Sequence, residues 1–148
     1  MASFHYSFQK VVDLKTSQKT QAEWLLSTAL SLLSTEEQSL QQLQETKQTW
    51  EQKLQDASKE AISLSELQVI GHYIDHLQTC IENKMKDVIQ AKRVVDSNRS
   101  KLADKVMDEK VWLKSKDNAL DRFKQALQLK EQNDLDEMAT VRFMMPTS

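Results

Sequence analysis

His72, His76 and Cys80 recur every four residues, a spacing that on an α-helix stacks three potential zinc ligands along one ridge. A structural zinc site needs four ligands, and the chain has a single cysteine, so a carboxylate such as Asp75 has to complete the set. The competing reading is two solvent-facing histidines beside an ordinary thiol. A zinc titration separates the two: bound metal and a raised melting temperature belong to the first alone. Other chemistry has even less to work with. One glycine cannot build a glycine-rich phosphate loop, and no Ser/His/acid or Cys/His spacing marks an activated nucleophile. Neither catalysis nor a cofactor is expected.

Helices must position these residues, because almost nothing in the chain turns. The 148 residues are 39% hydrophobic and 28% charged, with one Gly and one Pro, whereas roughly 12% of an average domain is Gly plus Pro. Gly71 and Pro146 are therefore the only strong backbone punctuators. Twenty basic and 22 acidic residues leave a formal charge of -2, without the positive footprint that nucleic acid or an anionic membrane would require. No apolar run approaches the roughly 20 residues of a membrane span, and the N-terminus lacks the basic-then-apolar pattern of a secretory leader. The lone Cys80 suits a reducing compartment. A cytoplasmic chain without an integral membrane span is expected.

Steps of three and four from Leu26 visit Ala29, Leu33, Glu36, Leu40, Leu43, Lys47, Trp50, Leu54, Ala57, Ala61 and Leu64. All but Glu36 and Lys47 are apolar, and the residues between are mostly polar, which is the heptad pattern of a coiled coil. A second register runs Ile74, Leu77, Ile81, Lys84, Val88, Ala91, Val95, Asn98 and Leu102, then more loosely through Trp112, Ala119, Phe123 and Ala126. Past Leu102 a parallel row of Val106, Leu113, Leu120 and Leu127 widens the stripe or shifts it around the helix. Between the registers, Ser63-Leu64-Ser65-Glu66 matches a capping box, with Ile62 and Leu67 at the staple positions. The alternative there is one uninterrupted rod.

The expected fold is all-α: two long helices in an antiparallel coiled-coil hairpin, with helix 1 over about 5–59, a turn at about 60–63 and helix 2 over about 64–142, forming one domain. At 1.5 Å per residue the arms measure roughly 80 and 120 Å, so the second helix overhangs. From about residue 120 onward it has no first-helix partner, yet Leu120, Phe123, Leu127, Leu135, Met138, Val141 and Phe143 are apolar. Such a stripe commonly marks a partner surface, and Phe143-Met144-Met145-Pro146 is expected to fray. Two paired helices offer no concave pocket that excludes water, which again argues against an enzyme.

The remaining singular residues divide by position. Glu36, Lys47, Lys84 and Asn98 interrupt the seams and set register rather than form a site. Trp50 and Trp112 lie on the seams, whereas Trp24 lies off the seam beside Leu25 and is a candidate surface contact. Gly71 either admits another backbone closely or is simply tolerated near a helix end. Residues 101–127 carry a small basic excess and 128–148 a small acidic one, imbalances typical of a solvated face.

Three segments, Phe8-Gln9-Lys10-Val11-Val12-Asp13-Leu14-Lys15, Ile70-x-x-Tyr73-Ile74-x-x-Leu77-x-x-x-Ile81 after the cap, and Asp136-Glu137-Met138-Ala139, resemble the FliJ family of the flagellar type III export apparatus. In order and spacing the resemblance covers essentially the whole chain. It implies a cytoplasmic hairpin similar to the coiled-coil part of the rotary ATP synthase gamma subunit, peripheral to the basal body at the inner membrane face. It further implies protein partners: the hexameric export ATPase FliI, whose central hole receives the terminal end, the export gate FlhA, and export chaperones. Carried over by position, the gate contacts are Tyr73, Leu77 and Cys80; where the family has a preceding aromatic, this chain has Ile70. The ATPase contacts expected near the termini are Trp24, Trp112, Leu120, Phe123 and Leu127. The expected molecule is a monomeric stalk or coupling subunit. Its rivals are a coiled-coil chaperone or holdase, a dimeric coiled-coil scaffold, and a related stalk from a virulence secretion system.

Overall fold

A computed structural model describes residues 3–144. Two helices, α1 (Gln9–Ala57) and α2 (Leu64–Met144), pack against each other as an all-α antiparallel hairpin, and α2 is longer, at 81 residues against 49. No strand occurs among the described residues. α1 begins at Gln9 rather than near residue 5, because Ser3 to Ser7 mix aromatic, histidine and serine residues of poor helix propensity. α2 remains helical through Phe143 and Met144; Met145 and Pro146, the rest of the expected frayed end, lie outside the described residues.

The turn is built without glycine. As α1 ends, Ser58 N makes a last α-helical bond to Leu54 O at 3.0 Å, and then Lys59 N donates to Asp56 O at 3.2 Å and Glu60 N to Ala57 O at 3.1 Å, so two tightened three-residue bonds occupy the last carbonyls. The start of α2 follows half of the capping box: Glu66 N donates to Ser63 Oγ at 3.3 Å. Ile62 and Leu67, at the staple positions, are both half-buried. Ala61 and Leu64 continue the first heptad arithmetic, but both are exposed. The turn removes them from α1, so the periodicity there is coincidental.

Gly71 has neither of the usual reasons for a glycine. Its φ is not positive, and a Cβ built on it meets nothing within 4 Å, so no backbone of this chain requires the close approach. Gly71→Ala is expected to stabilise the chain by about 0.5–1 kcal/mol. Urea unfolding followed by helix ellipticity checks it, and an unchanged midpoint would contradict it.

Packing divides the chain into two compact units, Gln21–Ala103 and Met1–Thr20 with Asp104–Ser148. The first, the hairpin unit, has an aliphatic seam. Ala22, Ala29 and Ala57 of α1 and Leu77, Ile81, Val88, Ala91 and Val95 of α2 are buried, as the two registers require. The seam's polar interruptions pair across the helices. Lys84 Nζ meets Glu36 Oε2 at 2.9 Å, Lys47 Nζ donates to Gln78 Oε1 at 2.7 Å, and Asn98 Nδ2 reaches Leu25 O at 3.5 Å. Partners ascend along one helix as they descend along the other, which fixes an antiparallel register.

In the second unit the seam is more polar. Tyr6 and Val12 are its buried apolar residues among those described, and Glu109 is buried beside them. Lys19 Nζ lies 2.9 Å from Glu109 Oε1 and Lys15 Nζ 3.4 Å from Asp108 Oδ2. Val106, Trp112, Ala119, Leu120, Phe123 and Leu127 are half-buried, while Leu113 and Ala126 are exposed. The stripe thus widens at Val106 and Leu120 while the first row continues through Trp112, Ala119 and Phe123, and it passes to the second row only at Leu127.

These ionic contacts set a pH window. Hydrogen bonds from Lys19 and then Thr16 hold the Glu109 carboxyl below its ordinary 4.5 against the opposing effect of burial. A depressed carboxyl contributes stability above its unfolded pKa and loses it as pH falls through the folded value. The hydrogen bond to Glu36 raises Lys84 above its ordinary 10.5, with desolvation opposing. That contribution is present below 10.5 and is lost as pH rises through the higher folded value. Melting temperature is therefore expected to fall once pH drops below about 4.5, and Glu109→Gln to flatten this acid limb. Thermal melts of both proteins at stepped pH values test it, and superimposable acid limbs would refute it.

Candidate partner-binding surfaces

Just beyond the turn, α2 carries two kinds of position. Leu77 is on the seam and only 4% exposed; the interhelical packing encloses it, so it does not form part of an outer surface. Tyr73 and Cys80 each precede a seam residue, Ile74 and Ile81, and therefore flank the interface. Tyr73 is 40% exposed, and its ring stands edge-on to Trp50, with centroids 5.0 Å apart at 70°. Lys53 Nζ lies 4.4 Å from the Trp50 centroid, a cation over an aromatic face. Cys80 is a half-buried free thiol, 3.6 Å from His76 Nε2.

Val69, Tyr73, His76 and Cys80, spaced four, three and four, make one continuous ridge. It offers two apolar groups, a titratable ring and a thiol to a partner. Val69 and Trp50 belong to this constellation, although the sequence motif does not include them; Trp50 enters because a seam residue of one helix touches the flanking residue opposite. His72, His76 and Cys80 do not assemble a metal site: among the described residues, no three His, Cys, Asp or Glu are placed to hold an ion.

The second surface lies on α2 in the other unit. Residues 3–8 precede α1 as a non-helical segment, with aromatic side chains at alternate positions. Phe8 meets Trp112, with centroids 5.9 Å apart; the Tyr6 hydroxyl and Ser115 Oγ hydrogen-bond at 2.9 Å; Phe4 meets Phe123 at 5.5 Å. Phe123 is therefore not bare, contrary to the expectation that nothing covers α2 beyond about residue 120. The chain's own aromatics take the place of a first-helix turn. Phe4, Tyr6 and Phe8 alternate along a segment that is non-helical over 3–6 and turns at Ser7 and Phe8, so they fall outside both heptad registers.

Leu120 and Leu127 are half-buried beside this covered face. Trp24 is elsewhere: it belongs to the hairpin unit and is 66% exposed. The expected ATPase contacts therefore do not form one constellation within a unit. Trp112, Leu120, Phe123 and Leu127 share one unit, and Trp24 stands in the other.

Past Leu127 the helix is open. Every residue over 128–144 is exposed, including Leu129, Leu135, Met138, Val141 and Phe143. Acidic Glu131, Asp134, Asp136 and Glu137 are interspersed among them. An apolar, helical and weakly acidic end suits docking on another protein. Among the described residues, no helix is long and apolar enough to cross a membrane.

No curated protein and no solved structure matches the chain. The family model described as "Flagellar FliJ protein" matches residues 4–148, spanning the aromatic segment, both helices and the open end. On that match the chain belongs to the flagellar FliJ protein family.

Proposed function

We propose that the chain is a cytoplasmic stalk or coupling component of the flagellar type III export apparatus, peripheral to the basal body at the inner membrane face. In this reading the open stretch of α2 past Leu127, together with the face that bears Trp112, Leu120, Phe123 and Leu127, meets the hexameric export ATPase FliI. Trp24 supplies a separate contact to it. The ridge of Tyr73 and Cys80, supported from beneath by Leu77, meets the export gate FlhA, and export chaperones are further partners. The chain performs no catalysis itself.

The observation that carries this reading is the exposed apolar stretch of 128–144 continuing a helix whose earlier seam is filled. Seams filled within one chain support a monomer over a dimeric scaffold, in which they would pair between chains. Pull-down with purified export ATPase and an ATP hydrolysis assay test the role: absence of both binding and stimulation would sink it. Tyr73→Ala is expected to weaken gate binding roughly tenfold, about 1.4 kcal/mol, with the melting curve nearly unmoved; gate binding at wild-type strength would remove Tyr73 from the contact. The same exposed stretch favours a holdase as the second reading, marked by suppressed aggregation of unrelated proteins.

A further inference from the structure

The face of α2 that bears Trp112, Ala119 and Phe123 is covered by an unusual occupant, a short non-helical piece of the same chain. Its grip is shallow. Tyr6 alone of its side chains is buried, and Phe8 is 53% exposed. One hydroxyl-to-hydroxyl bond and ring contacts at 5.5 and 5.9 Å hold it to α2, and the segment has no carboxylate or ammonium side chain with which to make an ion pair. It is joined to α1 by a turn. Ser7 and Phe8 form a turn, and Gln9 N to Tyr6 O and Val12 N to Phe8 O connect that turn to the first turn of α1.

We propose that residues 3–8 are a displaceable strap, an intramolecular competitor that lies on the Trp112–Phe123 face of α2 and leaves it when a partner takes that face. The inference rests on the reading that the export ATPase docks along this end of α2. A partner advancing from the open stretch of 128–144 meets the strap first at Phe4, where it covers Phe123. Alternating aromatics suit such a competitor, since they fill the apolar face while it is unoccupied and detach without stranding a buried charge. A strap closed in about nine chains of ten weakens apparent binding about tenfold relative to an open chain.

Affinity of the full-length chain for purified export ATPase tests this in three forms. The open form is Phe4→Ala with Tyr6→Ala. The closed form joins His5→Cys to Asn118→Cys, two positions lining one recess, through a short bis-maleimide in a Cys80→Ser background. It is compared with the same protein before linking. The face variant is Phe123→Ala. The open form is expected to bind about tenfold tighter and the linked form at least about tenfold weaker than its unlinked parent, with Phe123→Ala weakening binding. Tyr6→Phe, which removes only the hydroxyl bond, should shift affinity in the open direction by less, and it serves if the double variant loses helicity. The strap alone is overturned if Phe123→Ala weakens binding while the open and linked forms bind like their parents, or if opening weakens binding. A wild-type chain that does not bind overturns the docking reading and the strap together.

Discussion

Leu77→Ala is expected to cost the chain about 2–4 kcal/mol of unfolding free energy. Leu77 is 4% exposed among Ile81, Val88 and Val95 on a seam of buried aliphatics, so truncation loses transfer free energy and leaves a cavity that two long helices close only partly. Leu77→Met, nearly conserving volume, should recover most of the loss. Tyr73→Ala removes one edge-on contact with Trp50 from a half-exposed site and should cost only about 1 kcal/mol. Urea unfolding of the three variants measures the contrast. If Leu77→Ala stays within about 0.5 kcal/mol of wild type, Leu77 is not a packing residue. The functional consequence is direct: a gate-binding defect in Leu77→Ala reports a weakened hairpin, whereas one in Tyr73→Ala reports a lost surface.

Removing everything after Leu127 should do the reverse. The melting temperature is expected to stay within about 2 °C, since each described residue removed is exposed and gives the seam nothing. ATPase binding is expected to fall at least about tenfold, as docking loses its open apolar helix. Calorimetry or ellipticity reads the first quantity and a binding titration the second. Undiminished binding by the truncated chain would move the docking surface to the strap-covered face or to Trp24. A large loss of stability would mean that the end supports the fold.

The two helices are legible in the sequence because heptad periodicity and a near-absence of Gly and Pro are local properties. Ser63 and Glu66 likewise locate the start of α2. The polar interruptions are legible as positions but not as pairs. Glu36 finds Lys84, an opposite charge, yet Lys47 finds the neutral Gln78. The offset between helices, set by the turn, decides which residues meet. Beyond Leu102 the steps of three and four reach Glu109 on the way to Trp112, but nothing local names Lys19 as its partner. A buried carboxylate looks like a surface residue until its counter-ion is placed. The strap escapes a sequence reading for a related reason. Phe4, Tyr6 and Phe8 are too few to establish a period, and Ser115, which Tyr6 meets, is 109 residues away along the chain. At the proposed gate contact, the alternation of seam and flank already separates Leu77 from Tyr73 and Cys80.

The unequal make-up of the two seams should also be visible in time. Where Val88, Ala91 and Val95 are buried in succession along the hairpin seam, opening exposes contiguous aliphatic surface. Where Lys19 meets Glu109, it mostly exchanges one polar neighbour for water. Backbone amide protons should therefore trade with solvent deuterium slowest near Val88 to Val95, faster around Val12 and Glu109, and fastest over 128–144.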